Sequence, residues 1–64
     1  MTQPARRWRL MMLRAERRLT QAKLAKRIKT TTWRVNQIEV GRLEPRPEER
    51  ERMARLFGTE DLGL

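Results

Sequence analysis

The 64-residue chain contains no cysteine and no histidine. Without cysteine, no disulfide can staple the fold and no thiolate can hold zinc. Without histidine, the commonest metal ligand and the commonest general base near neutral pH are both missing. Carboxylates and lysines remain, but no nucleophile–base pair, metal cluster or phosphate-cradling loop is visible. The sequence therefore argues against an enzyme, and no cofactor, metal or small-molecule ligand is expected. Long apolar runs are also lacking. The longest, Leu10-Met11-Met12-Leu13, is far short of a signal core of roughly 7–15 residues or the ~20 apolar residues of a membrane helix. A cytoplasmic location is expected. A chain this short allows one domain, 1–64, which buries only about 60% of the surface its unfolded form exposes.

Acidic residues are scarce in one half. Residues 1–38 hold eleven basic residues and a single acid, Glu16, whereas residues 39–64 hold five basic and seven acidic ones. The first stretch thus carries +10 and the second −2, within a formal net charge of +8. A nucleotide bias in the source genome would explain why thirteen arginines accompany only three lysines. It would not explain why the acids avoid the first 38 residues. A polyanionic partner would, either nucleic acid or an anionic membrane.

Glycine occurs only at Gly41, Gly58 and Gly63, and proline only at Pro4, Pro45 and Pro47. Between these punctuation marks the apolar spacing is helical, with no strand-like alternation. A first helix is expected from about Pro4, capped by Thr2, to Arg17 or Arg18. A second starts after Thr20, whose hydroxyl can cap free amides, and places Leu24, Ala25 and Ile28 on one stripe. A third follows a break of about three residues, capped by Thr31, with Val35 and Ile38 inward and Gly41 as its stop. After a loop over Arg42–Arg46, a fourth begins at Pro47, with Glu48, Glu49 and Glu51 near the positive end of its dipole. Met53, Ala54, Leu56 and Phe57 give this helix its apolar face, and Gly58 ends it. A final short turn over Thr59–Asp61 would bury Leu62. The fold class is all-α, a compact bundle of four to five short helices.

Two short helices joined by a tight turn, over about residues 20–40, have the layout of a helix-turn-helix. The residues add to this. Leu19-Thr20-Gln21, Leu24-Ala25, Val35, Ile38-Glu39, Gly41 and Pro45 keep register with the pattern of the XRE family, the Cro- and lambda-repressor-type DNA-binding proteins, which this chain resembles over about residues 10–58. The resemblance implies a lambda-repressor-like domain of five helices that binds operator DNA as a homodimer, in the cytoplasm of a prokaryote or phage. It makes Ala25 the close crossing point of the second and third helices, and Val35 and Ile38 the buried pair of the recognition helix. It puts Gln21 against the DNA backbone and pairs Arg14 with Glu39 as a structural ion pair. Three positions depart from the pattern. Lys29 stands where the turn usually has glycine, at a strain of roughly 1 kcal/mol. Arg50 and Arg6 stand where apolar residues are usual, so the fourth helix would dock in a shifted register, and Trp8 or Met11 would fill the gap left by Arg6.

At about 100° per residue, Trp33 points nearly opposite Val35, with Gln37 beside it and Asn36 about 100° round from Val35. Thr32, Trp33, Asn36 and Gln37 are the candidate base readers. Asn and Gln can pair with the adenine edge, and the Trp33 ring can pack on thymine methyl groups. Thr20, Gln21, Arg27, Lys29, Thr31, Arg34 and Arg42 are the candidate contacts to the phosphate backbone. The loop Arg42–Arg46 with Leu62 and Leu64 is the candidate dimer surface. Two rival readings remain. One is an antitoxin or protein-interaction module of the same fold. The other is a membrane-active cationic helix over residues 5–18, ARRWRLMMLRAERR, against which the caps and stripes of the remaining chain argue.

Overall fold

Four α-helices and no strand make up residues 6–64, the part of the chain that the computed structural model describes. They are α1 (Trp8–Glu16), α2 (Gln21–Arg27), α3 (Thr32–Glu39) and α4 (Pro47–Phe57). Their apolar stripes converge on one core of Leu10, Leu13, Leu24, Ala25, Ile28, Val35, Ile38, Met53, Ala54, Phe57 and Leu62, with Leu19, Leu43 and Leu56 at its edge. Each fully buried Leu, Ile, Phe or Met in such a core contributes about 1.5–3 kcal/mol. No buried side-chain nitrogen or oxygen among the described residues lacks a hydrogen-bond partner.

The first helix starts later than its sequence suggests. Arg7 is its N-cap, with no side-chain cap. The Arg7 backbone N–H donates to the Glu39 carbonyl at 2.8 Å. An amide committed to α3 cannot bond within a helix begun nearer Pro4; Pro4 and the proposed cap Thr2 lie outside the described residues. The Arg7 guanidinium strengthens the tie. It donates to the carbonyls of Ile38 (3.1 Å) and Leu43 (2.7 Å) and pairs with Glu44. The Ile38 carbonyl at the end of α3, which also accepts from the Gly41 N–H, thereby meets a cation where the helix dipole favours one. Only Leu10 and Leu13 of α1 are fully buried. Trp8 (62% exposed) does not fill the space expected beside Arg6, and Met12 also stays outside; Met11 is half-buried.

All four helices end on a left-handed residue: Arg18 (φ 54°), Lys29 (φ 59°), Gly41 (φ 84°) and Gly58 (φ 66°). After α1, the Arg18 N–H donates to Ala15 O and the Leu19 N–H to Arg14 O. The same double closure follows α2, with Lys29 to Lys26 and Thr30 to Ala25, and α3, with Gly41 to Ile38 and Arg42 to Gln37. These are Schellman motifs, which return the last carbonyls to use. The end of α2 also receives the Arg52 guanidinium of α4 on the Ile28 carbonyl, at 3.3 Å.

In α4, Pro47 takes the first turn and the Glu49 carboxylate accepts from the Arg46 N–H at 2.7 Å. This is half of a capping box, because an arginine side chain has no acceptor with which to complete it. The buried stripe runs Glu49, Met53, Phe57, with Ala54 beside it, so Arg50 is left exposed. A carboxylate, rather than an apolar residue, fills the first inward position. After Gly58 the chain makes a bend rather than a fifth helix, closed by the Asp61 N–H on the Thr59 hydroxyl at 3.1 Å. The tail then crosses α1. Leu62 enters the core, and Gly63 lies so close that a Cβ there would stand 2.5 Å from Arg9 Cβ.

Candidate nucleic-acid interface

The pair α2–α3 is held in shape by its caps and its turn. Thr20 Oγ1 accepts from the Lys23 N–H and Thr31 Oγ1 from the Arg34 N–H, each at 3.1 Å. Both hydroxyl protons remain available to an acceptor outside. Between the two helices, Lys29 supplies the left-handed step. Leu24, Ala25 and Ile28 of α2 pack with Val35 and Ile38 of α3 in one core.

Two buried carboxylates fix α3 at its two ends. Glu39, 1% exposed, accepts from Arg14 Nε at 2.5 Å and Nη2 at 3.2 Å, and from Gln21 Nε2 at 2.9 Å. Arg14 also donates to the Leu19 carbonyl at 2.8 Å. This one cluster joins α1, the start of α2 and the end of α3. Glu49, 2% exposed, accepts from Arg34 Nε and Nη2, both at 2.8 Å. It joins α3 to α4. The hydrogen bonds from Arg34, with smaller contributions from the Thr30 hydroxyl and the Arg46 amide, outweigh burial and lower the Glu49 carboxyl from 4.5 to about 2. The same contact raises the Arg34 guanidinium above its ordinary value.

The candidate base readers lie on the outer side of α3. Trp33 is 64% exposed and does not fold back into the core. Thr32 is exposed, and Asn36 and Gln37 are half-buried. The Gln37 Nε2 group donates to Asn36 Oδ1 at 3.2 Å. Of the candidate backbone contacts, Thr20, Arg27, Lys29, Thr31 and Arg42 are exposed. No ion pair occupies Arg27, Lys29 or Arg42 among the described residues; Arg7, Arg9, Arg14, Arg34 and Arg55 are the paired arginines. Lys23 and Lys26 are exposed on α2 and unpaired in the same sense.

A sequence model of the family described as "Helix-turn-helix domain" matches residues 7–63, nearly the whole chain. The chain belongs to the helix-turn-helix domain family. No curated protein and no solved structure matches it. In this helix-turn-helix domain α2 and α3 are the two short helices joined by the tight turn. No helix among the described residues is long and apolar enough to cross a membrane, and no group of acidic residues there is arranged to hold a metal ion.

Three residues with expected outward roles have partners inside the helix-turn-helix domain. Arg34, expected to reach a phosphate or else a guanine, instead has the Nε–Nη2 edge of its guanidinium on Glu49. Gln21, also expected on the backbone, gives its amide to Glu39. Leu62 is 2% exposed and cannot serve a dimer surface, since it is already core. Sequence reasoning missed the Arg34–Glu49 pair because Glu49 looked like one of three solvated acids at a helix start. A signal was present: Glu49 lies four residues before Met53 and eight before Phe57, on the same stripe. Arg7 was missed as well, since nothing local shows that it reaches α3.

Proposed function

We propose that this domain binds duplex DNA sequence-specifically and regulates transcription, as a repressor of the XRE type, with α3 in the major groove and as a homodimer on DNA. The observation that carries the reading is the separation of charges around the motif. The acids of the interior are consumed by Arg14 and Arg34, while Lys23, Lys26, Arg27, Lys29 and Arg42 remain exposed around a reading helix that presents Thr32, Trp33, Asn36 and Gln37. Arg27, Lys29, Arg42 and the hydroxyls of Thr20 and Thr31 contact phosphates and fix the register. The outer residues of α3 contact base edges. Two copies would present their reading helices to half-sites one helical turn, ~34 Å, apart. A cytoplasmic protein of a prokaryote or phage fits this role.

The test is a fluorescence-anisotropy titration against duplex DNA at about 50 and 200 mM salt. Neutralising six or more phosphates would cost about 10³-fold or more in affinity between these conditions. An unchanged affinity would overturn the reading. Gln37→Ala is expected to relax base preference, whereas Arg42→Ala weakens binding evenly across sequences and lowers the salt slope by about one. If both variants merely shift affinity, α3 is not the reading element.

A further inference from the structure

We propose that α3 reads A·T base pairs rather than G·C pairs, so that the half-site chosen by this domain is A·T-centred, because Glu49 withholds the one guanidinium on the reading helix. The proposal rests on the DNA-binding reading above and names the class of sequence which that surface fits.

Guanine demands paired donors. Its major-groove edge offers two acceptors, O6 and N7, and is read most often by the paired donors of an arginine or a lysine. α3 contains a single basic residue, Arg34. Both Nε and Nη2 of Arg34 are spent on the Glu49 carboxylate at 2.8 Å, and Nη2 also lies 3.5 Å from the Glu44 carbonyl. The Arg34 side chain is only 16% exposed. To reach a base it would have to abandon a carboxylate that is itself buried, and an unpaired buried charge is a severe cost. The Glu49 carboxyl, held at about 2, stays ionised at every pH used for DNA binding, so the lock does not open by protonation.

The side chains left on the outer face are Thr32, Trp33, Asn36 and Gln37, none of them cationic. The exposed indole of Trp33 offers a broad apolar surface, and the thymine C5 methyl is the apolar group of the major groove. The Gln37 amide donates to Asn36 Oδ1. That contact uses one of the two Gln37 N–H donors and one acceptor position of Asn36, and the pair still presents the Gln37 carbonyl oxygen beside the Asn36 amino group. An acceptor beside a donor complements the N6 amino group and N7 of adenine. It does not complement the two acceptors of guanine.

The experiment is selection of bound sequences from random duplex DNA at low salt by the wild-type protein, Glu49→Gln and Arg34→Met, followed by titration of the selected duplexes. The wild type is expected to enrich A·T pairs at the positions under α3, and replacing one such pair by G·C should weaken binding roughly tenfold. Glu49→Gln, which releases Arg34, should add a guanine preference, and Arg34→Met should keep the wild-type preference. Should Glu49→Gln fail to fold, the double variant Arg34→Met with Glu49→Met removes the pair without stranding a charge and should still select A·T. Enrichment of a guanine by the wild type that Arg34→Met abolishes would overturn the proposal, as would equal binding of A·T and G·C duplexes. Either result leaves DNA binding itself standing. Failure of the wild type to bind any duplex would overturn both.

Discussion

Lys29 holds a backbone conformation that glycine adopts without strain, and it does so in the turn that sets α3 against α2. Replacing it by glycine removes the clash of its Cβ with the backbone, worth about 1 kcal/mol. Lys29→Gly is therefore expected to raise the melting temperature by roughly 4–8 °C. It also removes an exposed cation beside the motif, so DNA affinity should fall and the salt slope should shallow by about one. Calorimetry and titration of the same preparation check the two effects, which run in opposite directions. A variant that is no more stable would mean that the turn relaxes around lysine without strain. Arg18 occupies the matching place after α1. The family resemblance suggested the left-handed step at Lys29, where glycine is usual, but gave no hint of the one at Arg18.

The elements were legible where they advertise themselves locally. Thr20 and Thr31 are caps within their own turns, Pro47 opens α4, and Gly41 and Gly58 close helices with positive φ. The stripes Leu24–Ala25–Ile28 and Val35–Ile38 follow helical period, and all five residues are buried. What was not legible depends on chain segments far apart. The late start of α1 is imposed by the Glu39 carbonyl, and the place of Glu49 by Arg34. At this scale the pair Arg14–Glu39 has a measurable consequence. Arg14→Ala would leave the Glu39 carboxylate buried with Gln21 as its remaining partner, and is expected to cost about 3–5 kcal/mol. Arg14→Met combined with Glu39→Leu removes both charges and should recover most of that loss. Urea unfolding of the two variants distinguishes a stranded charge from simple loss of packing, for which the double variant would be no better than the single one.

Over the whole molecule, the absence of histidine removes the side chain that titrates between carboxylates and lysines. Stability is expected to be flat from about pH 5 to 8 and to decline in acid. Glu49 gives the decline its sign. Its folded value, about 2, lies below the ordinary 4.5. Its contribution is therefore fully present above pH 4.5 and is lost as pH falls from there towards 2, by roughly 2–3 kcal/mol. Chemical denaturation of the wild type and Glu49→Gln at pH 7, 4 and 2.5 checks this, the variant giving the flatter profile. An equal decline in both would shift the acid sensitivity to other carboxylates. The tie from Arg7 to the end of α3 bears on kinetics rather than on equilibrium. Its hydrogen bonds to Ile38 and Leu43 span 31 and 36 positions of a 64-residue chain, whereas α2 and α3 meet across a turn. Short-range pairs close with little loss of chain entropy and long-range ones with more. The motif helices would thus form the folding nucleus, with the α1 entry docking late and fraying first, and the protein would keep its reading surface assembled even while its beginning is open.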